Sequence, residues 1–163
     1  MHDNCYNLMA EFSKTIDSNL QILDVGSYDV NGCLKPLFKE HRYFGTDVEL
    51  GPNVDFLQTA PYDFPFKNLT FDIVVSANCL EHVEAPWKWV LEIDRVLKPS
   101  GKVAIATPWT IPYHAYPKDY WRISHDAFEY LFTGWMIEND RKPYTIERNE
   151  ISGIDTIFVA KKL

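Results

Sequence analysis

Apolar positions in this chain follow two alternating rhythms. Met9, Phe12 and Ile16 recur at three- and four-residue spacing, which predicts an amphipathic helix over residues 4–16, stopped near Asp17-Ser18-Asn19. The run Gln21-Ile22-Leu23-Asp24-Val25-Gly26 reads as a buried strand entering a turn. Leu34, Leu37 and Phe38 predict a short helix, residues 43–47 a second strand and residues 54–57 a third. Phe71-Asp72-Ile73-Val74-Val75-Ser76 is the clearest strand, β-branched and apolar. Pro86 suits the first turn of a helix whose buried stripe is Val90, Ile93 and Leu97. Pro99-Ser100-Gly101 then turns the chain into a fifth strand over 102–107. Ser124 caps a helix with Phe128, Leu131 and Phe132 inward. Residues 144–151 and 155–160 close the chain as strands joined through Ser152-Gly153, an antiparallel hairpin.

Strands alternating with helices predict a three-layer α/β/α sandwich with a mostly parallel, seven-stranded sheet. In such sheets ligands bind beyond the carboxyl ends of the strands, where the strand order reverses. At 163 residues, with no repeat and no linker, the chain is expected to form one domain over 1–163.

Composition narrows the partners. The formal charge is −7, from 23 acidic and 16 basic residues, and no Lys/Arg cluster exceeds two residues. A domain that grips a nucleic-acid backbone carries a basic face, so none is expected as a partner. Cys5, Cys33 and Cys79 are widely spaced and odd in number, which suits reduced thiols. The start MHDNCYNLMAEF lacks a basic, apolar leader, and no apolar run approaches the roughly 18–20 residues of a membrane span. A soluble, cytoplasmic protein is the expectation; a homodimer stays open.

The chemistry concentrates at strand ends. Gly26, directly after the first strand, permits a sharp turn and close approach of a ligand. Asp47 ends the second strand about twenty residues later, where a carboxylate can accept from both hydroxyls of a ribose. A dinucleotide fold wants G-x-G-x-x-G, but Tyr28 occupies the second glycine position and its ring would crowd a pyrophosphate. Asp24 and Asp29 would repel phosphates and welcome a sulfonium and an ammonium group. That chemistry favours S-adenosylmethionine over NAD.

These residues carry a resemblance over nearly the whole chain. The run 23–32 resembles the first motif of class I S-adenosylmethionine-dependent methyltransferases, a Rossmann-like family of the methyltransferase-domain type. Asp47 resembles its acidic ribose position. Phe71-Asp72-Ile73-Val74-Val75 with Leu80-Glu81-His82-Val83 resembles the fourth strand and its loop, and Arg95-Val96-Leu97-Lys98-Pro99-Ser100-Gly101-Lys102 its helix-turn-strand signature. The resemblance implies that Asp24, Gly26, Ser27, Tyr28, Asp47 and Val48 bind the cofactor. Asn78 and Cys79 would lie near its reactive end. Two departures stand out: the glycine-rich motif is reduced to Gly26-Ser27-Tyr28, and Thr59 replaces the acidic residue near the adenine.

Residues 108–122 are too proline-broken for a regular element and too aromatic for an ordinary loop. They leave the fifth strand at the cofactor's edge, so Trp109, Tyr113, Tyr120, Trp121 and Arg122 are the candidate acceptor contacts. The alternative reading for Tyr120, Trp121 and Arg122 is internal, with the rings packing the loop down and Arg122 pairing with Asp119. Pro117 to Arg122 resembles a stretch in methyltransferases associated with cell-surface sugar biosynthesis. A small-molecule acceptor, a sugar or a glycan or lipid intermediate, is therefore expected. His114 and Tyr116 are the candidate catalytic groups, His114 as general base; His82 reads as structural. No metal-ligand spacing shows, and no metal is expected. The alternatives are a non-catalytic cofactor-binding or partner module of this fold and an NAD-dependent enzyme.

Overall fold

Strand β1 (Gln21–Val25), with four of its five residues buried, is an interior strand of the sheet in the computed structural model, which describes residues 3–163. Parallel neighbours flank it, β2 (Arg42–Asp47) on one side and β4 (Phe71–Ala77) on the other. β3 (Phe56–Leu57) adds in parallel beyond β2, and β5 (Leu97–Pro108) beyond β4. A hairpin of β6 (Tyr144–Ser152) and β7 (Asp155–Lys162) closes the far edge, with β7 antiparallel to β5. The order is β3-β2-β1-β4-β5-β7-β6.

Period-two alternation sorts the strand residues onto two faces. Leu23, Val25, Val74, Val103 and Ile105 meet Trp89, Val90 and Ile93 of α2 (Pro86–Val96). Ile22, Ile73, Val75, Ala104 and Ile157 meet Cys5, Leu8, Met9 and Phe12 of α1 (Asp3–Ser13). Two apolar layers on one sheet make the expected Rossmann-like α/β/α sandwich.

Several boundaries move for local reasons. α1 stops at Ser13, although Ile16 still packs beneath it. The stretch around Leu37 is a single 3-10 turn, Lys35–Phe38, with Pro36 in its first positions. The third strand shortens to two residues because Asp55 uses its backbone and carboxylate on Gly45. Leu97 belongs to β5, not to the helix stripe, because α2 runs straight into the strand. A shift in β4–β5 register between Phe71 and Ile73 absorbs Ser100, whose φ is +63°.

Ser124 caps the next helix as expected, accepting from the Ala127 N–H at 3.2 Å. α3 (His125–Glu129) widens into a π turn over Tyr130–Gly134 before α4 (Trp135–Glu138). Phe128 and Phe132 still turn inward, their rings 5.0 and 4.7 Å from that of Phe158. At the end of β7, buried Lys162 pairs with Asp94 at 3.0 Å and donates to the carbonyls of Asp94 and Leu97, where α2 ends. A cation there complements the helix dipole.

Among the described residues no helix is long and apolar enough to cross a membrane. The reading of the first residues as lacking a leader includes Met1 and His2, which lie outside the described residues.

Candidate functional site

After β1 the chain builds β2 and β3 on one side, then returns to β4 on the other. The two departing loops separate there and leave a crevice at the strand ends. A cavity of about 660 Å³ occupies it. Of the residues singled out in the sequence, Asp24, Gly26, Ser27, Tyr28, Asp47, Val48, Asn78, Cys79, His114, Tyr116 and Tyr120 line it.

The loop after β1 is held from below. Gly26 and Ser27 both donate their N–H to the Thr46 carbonyl, at 2.9 and 3.2 Å. Gly26 has φ +80°, and a Cβ there would overlap Cys79, so close packing against the β4 loop demands the glycine. The Ser27 hydroxyl is committed to the Asn53 carbonyl at 3.0 Å. The Tyr28 ring lies on Gly51, where any Cβ would collide with it, so the ring is packed sideways.

Asp47 joins the two loops. Its Oδ2 accepts from the Tyr28 N–H and its Oδ1 from the Glu49 N–H, each at 3.1 Å. A carboxylate offers about four acceptor positions, so roughly two stay free for a diol. Asp24 is buried on the floor and accepts a hydrogen bond from the Tyr43 hydroxyl. Burial pushes its carboxyl up to about 7; the Tyr43 bond opposes that shift and the Asp47 charge adds to it. Tyr43 and Asn53, which support this floor, lack any motif signal in the sequence; only the strand pairing brings them in.

Thr59 does not join the cavity wall: its hydroxyl donates to Asp63 at 2.5 Å beside the Ala60–Asp63 bridge. Its neighbour Gln58 lines the cavity instead, together with Pro61 and Tyr62.

The loop over residues 108–122 docks onto the turn Leu80–His82 and onto Val83, which follows that turn. Tyr120 and Trp121 donate their N–H groups to the Glu81 carbonyl at 2.8 and 3.2 Å, and the Trp121 indole donates to the Val83 carbonyl at 2.8 Å. Arg122 grips both oxygens of Asp119 at 2.6 and 2.8 Å and the carbonyls of Ile111 and Pro112. That fork holds the Asp119 carboxyl well below the usual carboxylate range. Trp121 and Arg122 thus pin the loop, while Trp109 and Tyr113 stand outside the cavity wall, Tyr113 at 75% exposure. Of the proposed acceptor contacts only Tyr120 reaches the cavity.

One cluster escapes the sequence altogether. Glu81, His82 and His114 converge, with ligand-type atoms of all three within 4.8 Å of one another. Glu81 is fully buried, and neither carboxylate oxygen has a hydrogen-bond partner in another residue. Burial pushes its carboxyl up to about 8. The signal in the sequence is only an acidic residue beside His82; the loop fold supplies the third member.

Comparisons agree with this geometry. Residues 28–105 match the family model described as a methyltransferase domain. The chain is 37% identical over 59 residues to an uncharacterized methyltransferase of Mycobacterium tuberculosis, covering 36% of this chain and 23% of the relative. It is 28% identical over 138 residues to the ubiquinone/menaquinone biosynthesis C-methyltransferase of Psychromonas ingrahamii, covering 85% and 52%. The matches thus span about a quarter to a half of these relatives' lengths. In fold it resembles 1,6-didemethyltoxoflavin-N1-methyltransferase of Burkholderia thailandensis, solved with 1,6-didemethyltoxoflavin and S-adenosylhomocysteine, at TM-score 0.74 and 15% identity, covering 98% of this chain and 79% of that one. The sheet order and strand-end crevice are those of the Rossmann-like methyltransferase fold, and residues 28–105 match the methyltransferase-domain model.

Proposed function

We propose that this chain is an S-adenosylmethionine-dependent methyltransferase acting on a small-molecule acceptor. The observation that carries the reading is the charge of the cavity. Asp24, Asp47, Glu49 and Glu84 line it, and no lysine or arginine does among the described residues. Such a wall repels the phosphates of a dinucleotide and attracts a ligand bearing a sulfonium and an ammonium group. A cavity of about 660 Å³ is also within the range of small-molecule sites.

The residues present fit that cofactor. Asp47 would take the ribose hydroxyls on its free acceptor positions, and Asp24 would pair with the ammonium group. Val48 and Gln58, which line the cavity beside Asp47, would take the adenine, the role first given to Thr59. When bound, S-adenosylmethionine supplies an electrophilic methyl group.

The chain's own contribution is alignment and exclusion of water. Alignment of reacting groups alone is worth up to roughly 7–11 kcal/mol in favourable cases. His114, Tyr116 and Tyr120 line the cavity and form the acceptor side, where an oxygen or nitrogen acceptor gives up its proton to solvent water as the methyl group is transferred. The tyrosine rings offer flat faces to a sugar or a glycan or lipid intermediate, the acceptor class implied by the resemblance of residues 117–122. A neighbour of the same fold holding a small ring compound supports a small acceptor over a macromolecule.

Calorimetry tests the reading. S-adenosylmethionine and S-adenosylhomocysteine should bind the purified chain, and Asp47→Ala should lose that binding. Binding of NAD instead, or of no nucleoside, would overturn the proposal. Cofactor binding without transfer to any of a panel of sugars and small ring acceptors would favour a non-catalytic module.

A further inference from the structure

The cluster of Glu81, His82 and His114 gathers three ligand-type atoms around one point beside the cavity. The His82 Nδ1 is 2.6 Å from the Lys118 carbonyl and the His114 Nδ1 is 3.1 Å from the Pro112 carbonyl. A carbonyl oxygen only accepts, so the His82 Nδ1 donates there and leaves its Nε2 bare; the His114 Nδ1 meets the Pro112 carbonyl and, at 3.4 Å, both Asp119 Oδ2 and the Arg122 guanidinium, and the tautomer that donates to the two oxygens bares its Nε2. Both Nε2 atoms face the same carboxylate oxygen, Glu81 Oε1, at 3.6 and 3.7 Å. Two ring nitrogens and a buried carboxyl whose oxygens have no hydrogen-bond partner thus face one space.

From this geometry we infer that Glu81, His82 and His114 form a site for one divalent transition-metal ion of the zinc or cobalt kind. Ligand atoms about 2.0–2.2 Å from such an ion lie about 3.4 Å apart when tetrahedral, so the two spacings to Glu81, 3.6 and 3.7 Å, need shifts of only a few tenths of an ångström, and the two histidine nitrogens, within 4.8 Å of each other, close in by turning their rings. Two imidazoles and one carboxylate suit zinc, cobalt or iron, whereas magnesium and calcium prefer oxygen sets. The backbone carbonyls on both Nδ1–H groups act as the outer hydrogen bonds that orient histidine ligands in metal sites.

The place of the site gives it a use. Glu81 closes it from behind, while His82 and His114 line the cavity. Three protein ligands leave coordination open on the cavity side, as in catalytic rather than structural sites. An acceptor oxygen can bind there, and its O–H proton is then lost to water because the ion stabilises the oxyanion. His114 serves in that case as a ligand, not as the general base expected from sequence. The acceptor use rests on the proposed methyl transfer; the metal site itself does not.

The test begins with untagged protein stripped by chelator and dialysed against zinc ion alone. One equivalent per chain should bind. His114→Ala and Glu81→Gln should each weaken binding by more than the roughly 10–100-fold that loss of an outer hydrogen-bond partner causes. The cobalt form should show ligand-field absorption without a thiolate charge-transfer band. Glu81 is buried, so Glu81→Gln is read only where its thermal transition is retained; His114, at the surface of the loop, gives the decisive variant otherwise. No stoichiometric ion, unchanged affinity in His114→Ala, or a thiolate band assigning the ion to cysteine would each overturn the site. S-adenosylmethionine calorimetry on the same stripped protein keeps failure of the metal site distinct from failure of the methyltransferase reading.

Discussion

Gly26 lies directly against Cys79: a Cβ built on the glycine would overlap both the Cβ and the Sγ of the cysteine. The contact joins the loop after β1 to the loop after β4, and the two together form the floor of the cavity. Gly26→Ala therefore meets two penalties. The left-handed backbone, at φ +80°, disfavours alanine by roughly 1–2 kcal/mol. Overpacking adds about 1–3 kcal/mol more. Urea denaturation should show that loss, and calorimetry should show S-adenosylmethionine binding reduced with it. An alanine variant of full stability would mean that Cys79 yields easily and the contact does not shape the floor.

The Asp24 carboxyl, raised by burial to about 7, predicts a pH dependence. A raised acid favours the folded state while it is protonated. Its contribution is complete below the unfolded value near 3.8, falls as pH rises, and is gone above about 7. A bound ammonium group prefers the ionised form, so cofactor affinity should rise towards pH 7 and level off above it, with proton release on binding. Calorimetry in buffers of different ionisation enthalpy measures that release. Asp24→Asn should abolish it; a variant with the same proton release would assign it to another group.

How much of this was legible depends on whether the signal is local. Asp24, Gly26 and Asp47 sit at strand ends, and an apolar run followed by a turn marks a strand end in the sequence itself. The hairpin through Ser152-Gly153 is legible for the same reason. Thr59 turns its hydroxyl to Asp63 beside a bridge between Ala60 and Asp63, which no periodicity announces. Trp121 and Arg122 have the side chains of ligand contacts, yet the carbonyls of Val83, Ile111 and Pro112 absorb their donors. Glu81 and His114 are remote in sequence and meet only because the loop docks back on the turn, so their pairing had no signature at all.

The buried pair of Lys162 and Asp94 predicts a stability effect away from the cavity. Lys162→Met leaves Asp94 buried with only the Tyr144 hydroxyl, 3.3 Å away, and removes the cation from the end of α2. Breaking a buried pair by removing one partner destabilises by about 3–5 kcal/mol. For a chain of this size that is a fall of roughly 6–20 °C in Tm. Scanning calorimetry reads it directly, while cofactor affinity, measured well below the transition, should be unchanged. A Tm within a degree of the parent would mean that the methionine stem replaces the ion pair by packing.

Arg122 provides the sharpest separation between holding the acceptor loop and holding the cofactor. Its guanidinium joins Asp119 to the carbonyls of Ile111 and Pro112, and Asp119 in turn accepts the His114 N–H at 2.8 Å. Removing the fork releases His114 and the 111–119 segment together, while the loops carrying Asp24 and Asp47 are untouched. Hydrogen bonds to charged groups contribute about 1.5–3 kcal/mol each. Arg122→Ala should therefore raise KM for the acceptor by roughly 10–100-fold while leaving the Kd for S-adenosylmethionine within about twofold. Arg122→Lys should restore little, because a point charge cannot bridge both Asp119 oxygens and two carbonyls at once. If lysine restores full activity, charge alone suffices and the fork does not set the loop. If alanine instead weakens the cofactor as much as the acceptor, the loop belongs to the cofactor side of the cavity.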